Sequence, residues 1–543
     1  MLETLRPAFR RRGTFVLFCV LATGMVAQSS RRSVVGMLSG ARMAQTVSFH
    51  AACRFFSHAV WEVDRLGLLA ARLIVERLLG ADEPITVVID ETLFKRWGRK
   101  VHHAFWTHDG SAQGGNKIAR GNRWAVAGIV VRLPFCTAPV CLPVLFRLWA
   151  GKGTASSVEL AGDLLALIVA AFPDRRVHGV GDAAYHGKPL LVAGTTWTTR
   201  LPANAALYDL APARTGKRGR PALKGSKLGK PGVLAADAAW RRVTVHRYGR
   251  TESVYLAVVA CIWYGSFGNT PGRCVLVREE NSTKTYDLAL FTFDAQATAA
   301  EVVARYAVRW SIEPSNAAGK QQMGVGQARN RLPKAVQRTV PFGMLVQSMV
   351  IVWYALSGYH PDDVTDRRQA EPWYDAKTEP SFEDMLTKLR KTLIAARFSV
   401  VRPGQTDPDP DPDGEFRGDF AGGGALPWPG TLGEVSPESL GLWLVYAERV
   451  RSVPLRAHLR HLLAAAGVPP RHVHARAAID GYVEAVPALL AAGDENRGRL
   501  RAVQSLVRAL DLAVRWNQRD LRAQVLQDIL GLARVLRAPV LLP

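Results

Sequence analysis

Residues 85–92 read ITVVIDET, and the fold turns on them. Ile85, Thr86, Val87, Val88 and Ile89 are all β-branched, so they favour the pleated backbone over the helix. The run shows no polar alternation, which marks a buried strand. It ends in Asp90, so a carboxylate stands at the end of an apolar strand.

The neighbouring segments repeat the theme. WAVAGIVVRLP (124–134) and CLPVLFRLWA (141–150) read as two further strands, and 156–172 as an apolar helix. RVHGVGDAAY (176–185) is another strand, ending near Asp182. Hairpin-like strands, a helix and a further strand predict an α/β layer with carboxylates at strand ends. After WTTRLP (197–202) comes RTGKRGRPALKGSKLGK (214–230), which holds seven Lys/Arg and no acid. The β-rich segments that follow make about 203–285 an insertion in that layer. Helical pattern resumes at Ala299 and runs through Gln327.

Upstream, 28–80 reads as short helices, the last stopping at Gly80. These Arg-bearing helices suit either a helix-turn-helix DNA reader or a packing bundle. Arg10, Arg11 and Arg12 precede the apolar run TFVLFCVLATGMVA (14–27), which resembles a signal segment. It is short for a membrane span, and Arg31 and Arg32 follow with no clean cleavage site, so a buried first helix is expected. Downstream, 403–430 is rich in Pro, Gly and Asp and reads as a solvated linker. Beyond it the Leu/Ala-rich tail has no lysine and reads as a helical module. The expected organisation is a helical N-terminal domain at 1–82 and an α/β domain at 83–400. A linker at 401–430 and a helical module at 431–543 follow.

Composition narrows the function. The 543 residues are 48 % hydrophobic and 21 % charged, which excludes global disorder and a small disulfide scaffold. Seventy Lys+Arg against 46 Asp+Glu leave a net charge of +24, pointing to a polyanion, most often nucleic acid. The six cysteines form no CxxC pair, which argues against a zinc ribbon and reads as reduced thiols in the cytoplasm.

Two carboxylates on adjacent strands repel unless a cation bridges them, and Mg²⁺ prefers such an oxygen-rich setting. A third acid comes from RYAVRWSIEPSNAAGK (305–320). Tyr306, Arg309, Glu313 and Lys320 are spaced three, four and seven apart, which puts them on one helical face. That face offers one metal carboxylate with cations beside it to hold phosphates.

These three motifs, in this order, resemble the DDE transposases of bacterial insertion sequences. The resemblance is to the group with a Tyr-(2)-Arg-(3)-Glu-(6)-Lys signature, and it covers about residues 10 to 360. It implies an RNase H-like core with the β-rich insertion between the second Asp and the Glu. It implies that Asp90, Asp182 and Glu313 hold two Mg²⁺ ions, with Mn²⁺ as a substitute. Tyr306, Arg309 and Lys320 would grip phosphates at the transposon end. The implied partners are double-stranded DNA, as terminal inverted repeats and as target, and a second copy of the chain when the ends are paired. No membrane is implied. Pro314, directly after Glu313, departs from the pattern and is expected to kink the helix there. Lys217, Arg218 and Arg220 in KRGRP suit either a minor-groove hook or a basic loop on phosphates. Three other readings stay open: a DNA-binding regulator without chemistry, a nuclease that cuts without joining, and an exported or membrane-attached protein.

Overall fold

The computed structural model describes residues 1–396 except 29–30, 111, 113–116, 214–220, 372 and 374. Met1–Leu393 is one compact unit. The expected linker at 401–430, the tail module at 431–543, and Lys217, Arg218 and Arg220 all lie outside the described residues.

Four helices come first: α1 (Arg12–Ala27), α2 (Val34–Gly40), α3 (Phe49–Ser57) and α4 (Val63–Leu78). The apolar run at 14–27 forms most of α1, with Phe15, Phe18, Leu21 and Met25 buried. Four strands follow, β1 (Ile85–Lys95), β2 (Phe105–His108), β3 (Ile118–Val131) and β4 (Val140–Leu148). Then come α5 (Ser157–Ala171), β5 (Val177–Gly181) and β6 (Thr195–Arg200). α5 starts where the sequence suggests because Ser156 and Glu159 form a reciprocal cap.

The β-rich insertion supplies β7 (Leu207–Tyr208), β8 (Lys227–Gly229), α6 (Pro231–Ala236), β9 (Arg241–Arg247), β10 (Arg250–Ile262), α7 (Tyr264–Phe267) and β11 (Pro271–Glu279). β12 (Leu288–Thr292) leads back out of it. Five helices close the described chain: α8 (Ala299–Ala307), α9 (Ile312–Gln321), α10 (Pro333–Trp353), α11 (Asp363–Ala370) and α12 (Phe382–Ala396).

All twelve strands belong to one mixed sheet, ordered β2-β3-β1-β5-β6-β12-β11-β10-β7-β8, with β4 on β3 and β9 on β10. The β1–β5 and β5–β6 pairs are parallel. The β1–β3 and β3–β4 pairs are antiparallel. The insertion is continuous with the rest, because β12 pairs β6.

β1 is apolar throughout its first half because it is covered on both sides. α9 packs on it and on β4, α4 and α10 also pack on β4, and α5 packs on β1, β3 and β5. Ile85, Val87, Val88 and Ile89 are fully buried. Each such side chain contributes about 1.5–3 kcal/mol of transfer free energy. Gly67 lets α4 approach β4, since a Cβ there would stand 2.1 Å from the Val144 carbonyl oxygen.

α10 is the central helix. Its Pro333–Gly358 continuation is long and apolar enough to cross a membrane, yet 83 % of its apolar window is buried inside the protein. Arg338 on α10 donates to the carbonyls of Phe56 (3.3 Å) and Trp61 (2.7 Å) and stacks on the Trp61 ring. These bonds fasten the N-terminal helices to the body of the fold.

Candidate active site

Parallel pairing sets the first two acids side by side. Ile85 lies opposite Val177 and Val88 opposite Val180. Asp90 and Asp182 each stand two residues further on, at the carboxyl end of the parallel pair. The antiparallel side of the sheet meets its parallel side here, and ligands bind at such a reversal in open α/β sheets.

Asp90 faces Val126 of β3, and its Oδ1 accepts the Glu91 N–H at 2.8 Å. Its carboxyl is pushed up to about 6. Burial is the main cause, and the negative charges of Asp182 and Glu313 add to it. The Glu91 N–H and the Arg309 guanidinium pull the other way. Two like charges acting on one buried carboxyl place all three acids in one electrostatic neighbourhood. Asp182 is fixed locally, with Oδ1 accepting the Ala184 N–H at 2.8 Å.

Glu313 stands in the first turn of α9. Its carboxylate accepts from Arg309 at 2.8 Å. Pro314 follows it, still in that first turn. The preceding residues, Val308–Ser311, form a 3-10 turn rather than α-helix. A proline ring meets the carbonyl four residues back, here Trp310. The α-helical ladder is interrupted at Val308–Ser311, the turn before Pro314. α9 continues without a break from there to Lys320.

Tyr306, in the last turn of α8, is buried, which pushes its hydroxyl up despite the opposing charges of Arg309 and Arg200. The Arg309 guanidinium carbon lies 5.9 Å from its ring centre. Lys320 is part-buried, its ammonium 5.8 Å from the Phe94 ring centre. Burial lowers its pKa, while Asp109 and Asp90 raise it. The four signature residues are thus each within electrostatic reach of Asp90 or Asp182.

Sequence reasoning missed a second layer. Glu91 points away from Asp90 and is clamped by Arg123 and the Ser157 hydroxyl. Tyr185 is 2 % exposed, and its hydroxyl has no hydrogen-bond partner among the described residues. Burial, then the charges of Glu91, Asp90 and Asp182, raise its pKa. The only signal in the sequence was its place three residues after Asp182.

The donor set suits a hard divalent cation: three carboxylates and no thiol or imidazole, with charge repulsion concentrated on Asp90. Among the described residues no three His, Cys, Asp or Glu side chains form a ready-made metal cage. Glu313 is turned to Arg309 instead.

Residues 4–252 match the family model described as DDE superfamily endonuclease. The match includes Asp90 and Asp182 and ends before Glu313. It supports a metal-dependent nuclease of the DDE type, with DNA as substrate. No curated protein matches the chain.

Proposed function

We propose that the protein is a DNA transposase that cuts at the ends of its element and joins them to target DNA. The observation that supports this reading is the parallel β1–β5 register, which sets Asp90 and Asp182 side by side, with the charges of Asp182, Glu313 and Arg309 all acting on Asp90.

Asp90, Asp182 and Glu313 would hold Mg²⁺, or Mn²⁺ in its place. The ions would supply a Lewis acid at the scissile phosphate and an activated water or 3′-OH. The chain supplies the rest. Asp90 and Asp182 are pre-aligned by strand register, so two ligands stand ready before DNA arrives. Arg309 holds the Glu313 carboxylate in a 2.8 Å ion pair, and its planar fork is suited to a phosphate oxygen. Lys320, held over Phe94, presents a second cation beside Asp90. Tyr306 offers a buried hydroxyl as a hydrogen-bond donor to the same phosphate run. Paired ends imply two copies of the chain acting together.

The test is incubation with the element's own terminal repeats and Mg²⁺, with nicking and strand joining read on a gel. Both products are expected. Nicking without joining would reduce the activity to that of a nuclease. Failure to cut in Mg²⁺ or Mn²⁺ would remove the catalytic reading.

A further inference from the structure

Past Asp90, β1 runs on beside β3 as far as Lys95, opposite Gly121, and from Gly121 onward β2 and the start of β3 continue as a two-stranded ribbon. Residues 95–120 contain six Lys/Arg and a single acid, Asp109. Asp109 is buried and paired with Lys95 at 3.0 Å. Two tryptophans stand out on this ribbon: Trp97 is 88 % exposed and Trp106 is 70 % exposed. An indole left in water gives up the burial that otherwise rewards so large a side chain.

The register sorts the faces. Trp106 lies opposite Arg120, and His108 opposite Ile118. Side chains alternate along a strand, so these four share one face. Arg120 donates to the carbonyls of Gly98 (2.7 Å) and Arg99 (3.1 Å), which ties the Trp97 turn to β3. Arg99 and Lys100 in that turn and Lys117 just before β3 are exposed. The base of the ribbon is firmly held. Buried Arg96 donates to Asn122 at 3.1 Å and to the Ala328 carbonyl, and the His102 N–H reaches the Arg331 carbonyl at 3.1 Å. The tryptophans are thus presented on a braced extension of the strand that carries Asp90. At 3.3–3.4 Å per residue, Asp90 and Lys95 are about 17 Å apart along it.

We propose that this ribbon binds single-stranded DNA, with Trp97 and Trp106 stacking on unpaired bases and Arg99, Lys100 and Lys117 meeting the phosphates. The inference rests on the DNA reading above and adds a ligand class and a place. Positive charge selects a polyanion, and exposed indole faces select bases whose own faces are free, which paired bases do not offer. Such stacking tolerates any sequence, so the ribbon holds a strand by its form rather than by its bases.

The test uses the full chain with Asp90→Asn and no metal, so that nothing is cut. Binding of a labelled oligothymidylate and of a labelled duplex of equal length is followed by fluorescence anisotropy across a salt series. Trp97→Ala with Trp106→Ala should weaken single-strand binding by about tenfold or more. The salt slope should stay unchanged and duplex binding should move by less than about twofold, since no counterion contact is lost. Trp97→Phe with Trp106→Phe should restore most of the affinity. Arg99→Ala with Lys100→Ala should instead flatten the salt slope. Unchanged single-strand affinity in a variant with wild-type circular dichroism would overturn the proposal. So would an equal loss on single strand and duplex. Neither result touches the catalytic reading, which stands or falls on whether the wild-type chain nicks and the Asp90→Asn chain does not.

Discussion

Asp90 holds a proton more readily in the folded chain than in the unfolded one. Its carboxyl sits at about 6 instead of 3.8. The folded state therefore gains nothing from Asp90 ionisation. Stability falls as pH rises from about 4 to about 6 and stays lower above that. The loss is at most about 3 kcal/mol, at 1.36 kcal/mol per unit. Asp90→Asn should accordingly stabilise the metal-free protein at pH 8 by about 1–3 kcal/mol in denaturant titrations, with the gain vanishing near pH 4, and should abolish nicking. A variant that is less stable at pH 8, or that still nicks, contradicts the assignment. Lys320→Ala should weaken binding to the element's ends and lower the salt slope by about one counterion. An unchanged slope would make Lys320 a packing residue over Phe94. Asp90 and Asp182 were legible in the sequence because each follows its own apolar strand. The Arg123–Glu91–Ser157 clamp was not, because its members come from three separate segments and pair only once the sheet has formed.

Among the elements, Pro314 offers the sharpest test. Its N–H would be little used in the first turn of α9, so Pro314→Ala should change stability by no more than about 1 kcal/mol. It should also let the α-helical ladder extend through Val308–Ser311, shifting Arg309 against Glu313 and lowering nicking several-fold. Full activity in that variant would show that the 3-10 turn has no part in aiming the signature. The strands around 85–92, 124–134, 141–150 and 176–185 and the helix from 156 were all readable, since aliphatic runs and a capping box are local signals. The extension of β1 to Lys95 and the whole of β2 were not. The β1 extension mixes polar Glu91, Thr92 and Lys95 with buried Leu93 and Phe94, β2 is mostly exposed, and both take their strand form from pairing with β3.

At the scale of the molecule, the N-terminal helices posed two options, a DNA reader or a packing bundle. Arg338 and the aromatic cluster of Phe9, Phe18, Phe55, Trp61 and Phe342 fasten them to α10, a contact compatible with either option. No sequence pattern could pair Arg338 with carbonyls some 280 residues earlier. The tail is set apart in sequence by an anionic Asp-Pro run at 407–413. A chain ending at about Pro403 should keep metal-dependent nicking of supercoiled DNA, since Asp90, Asp182 and Glu313 all lie before it. Loss of nicking in a soluble, folded truncation would mean that the tail completes the site.

Thr198, Thr199 and Arg200 of β6 pair with Thr292, Phe291 and Leu290 of β12. Through that seam the insertion hangs from the parallel strands as a cantilever, not as a flap on a tether, and a hydrogen-bonded sheet resists being sheared along its own plane. Under the proposed function, DNA laid against a stiff beam has to do the bending itself. Curving a short duplex by 40–90° costs on the order of 1–6 kcal/mol and varies with its sequence. Discrimination among DNA sites would then arise partly as elasticity, at base pairs that no side chain touches.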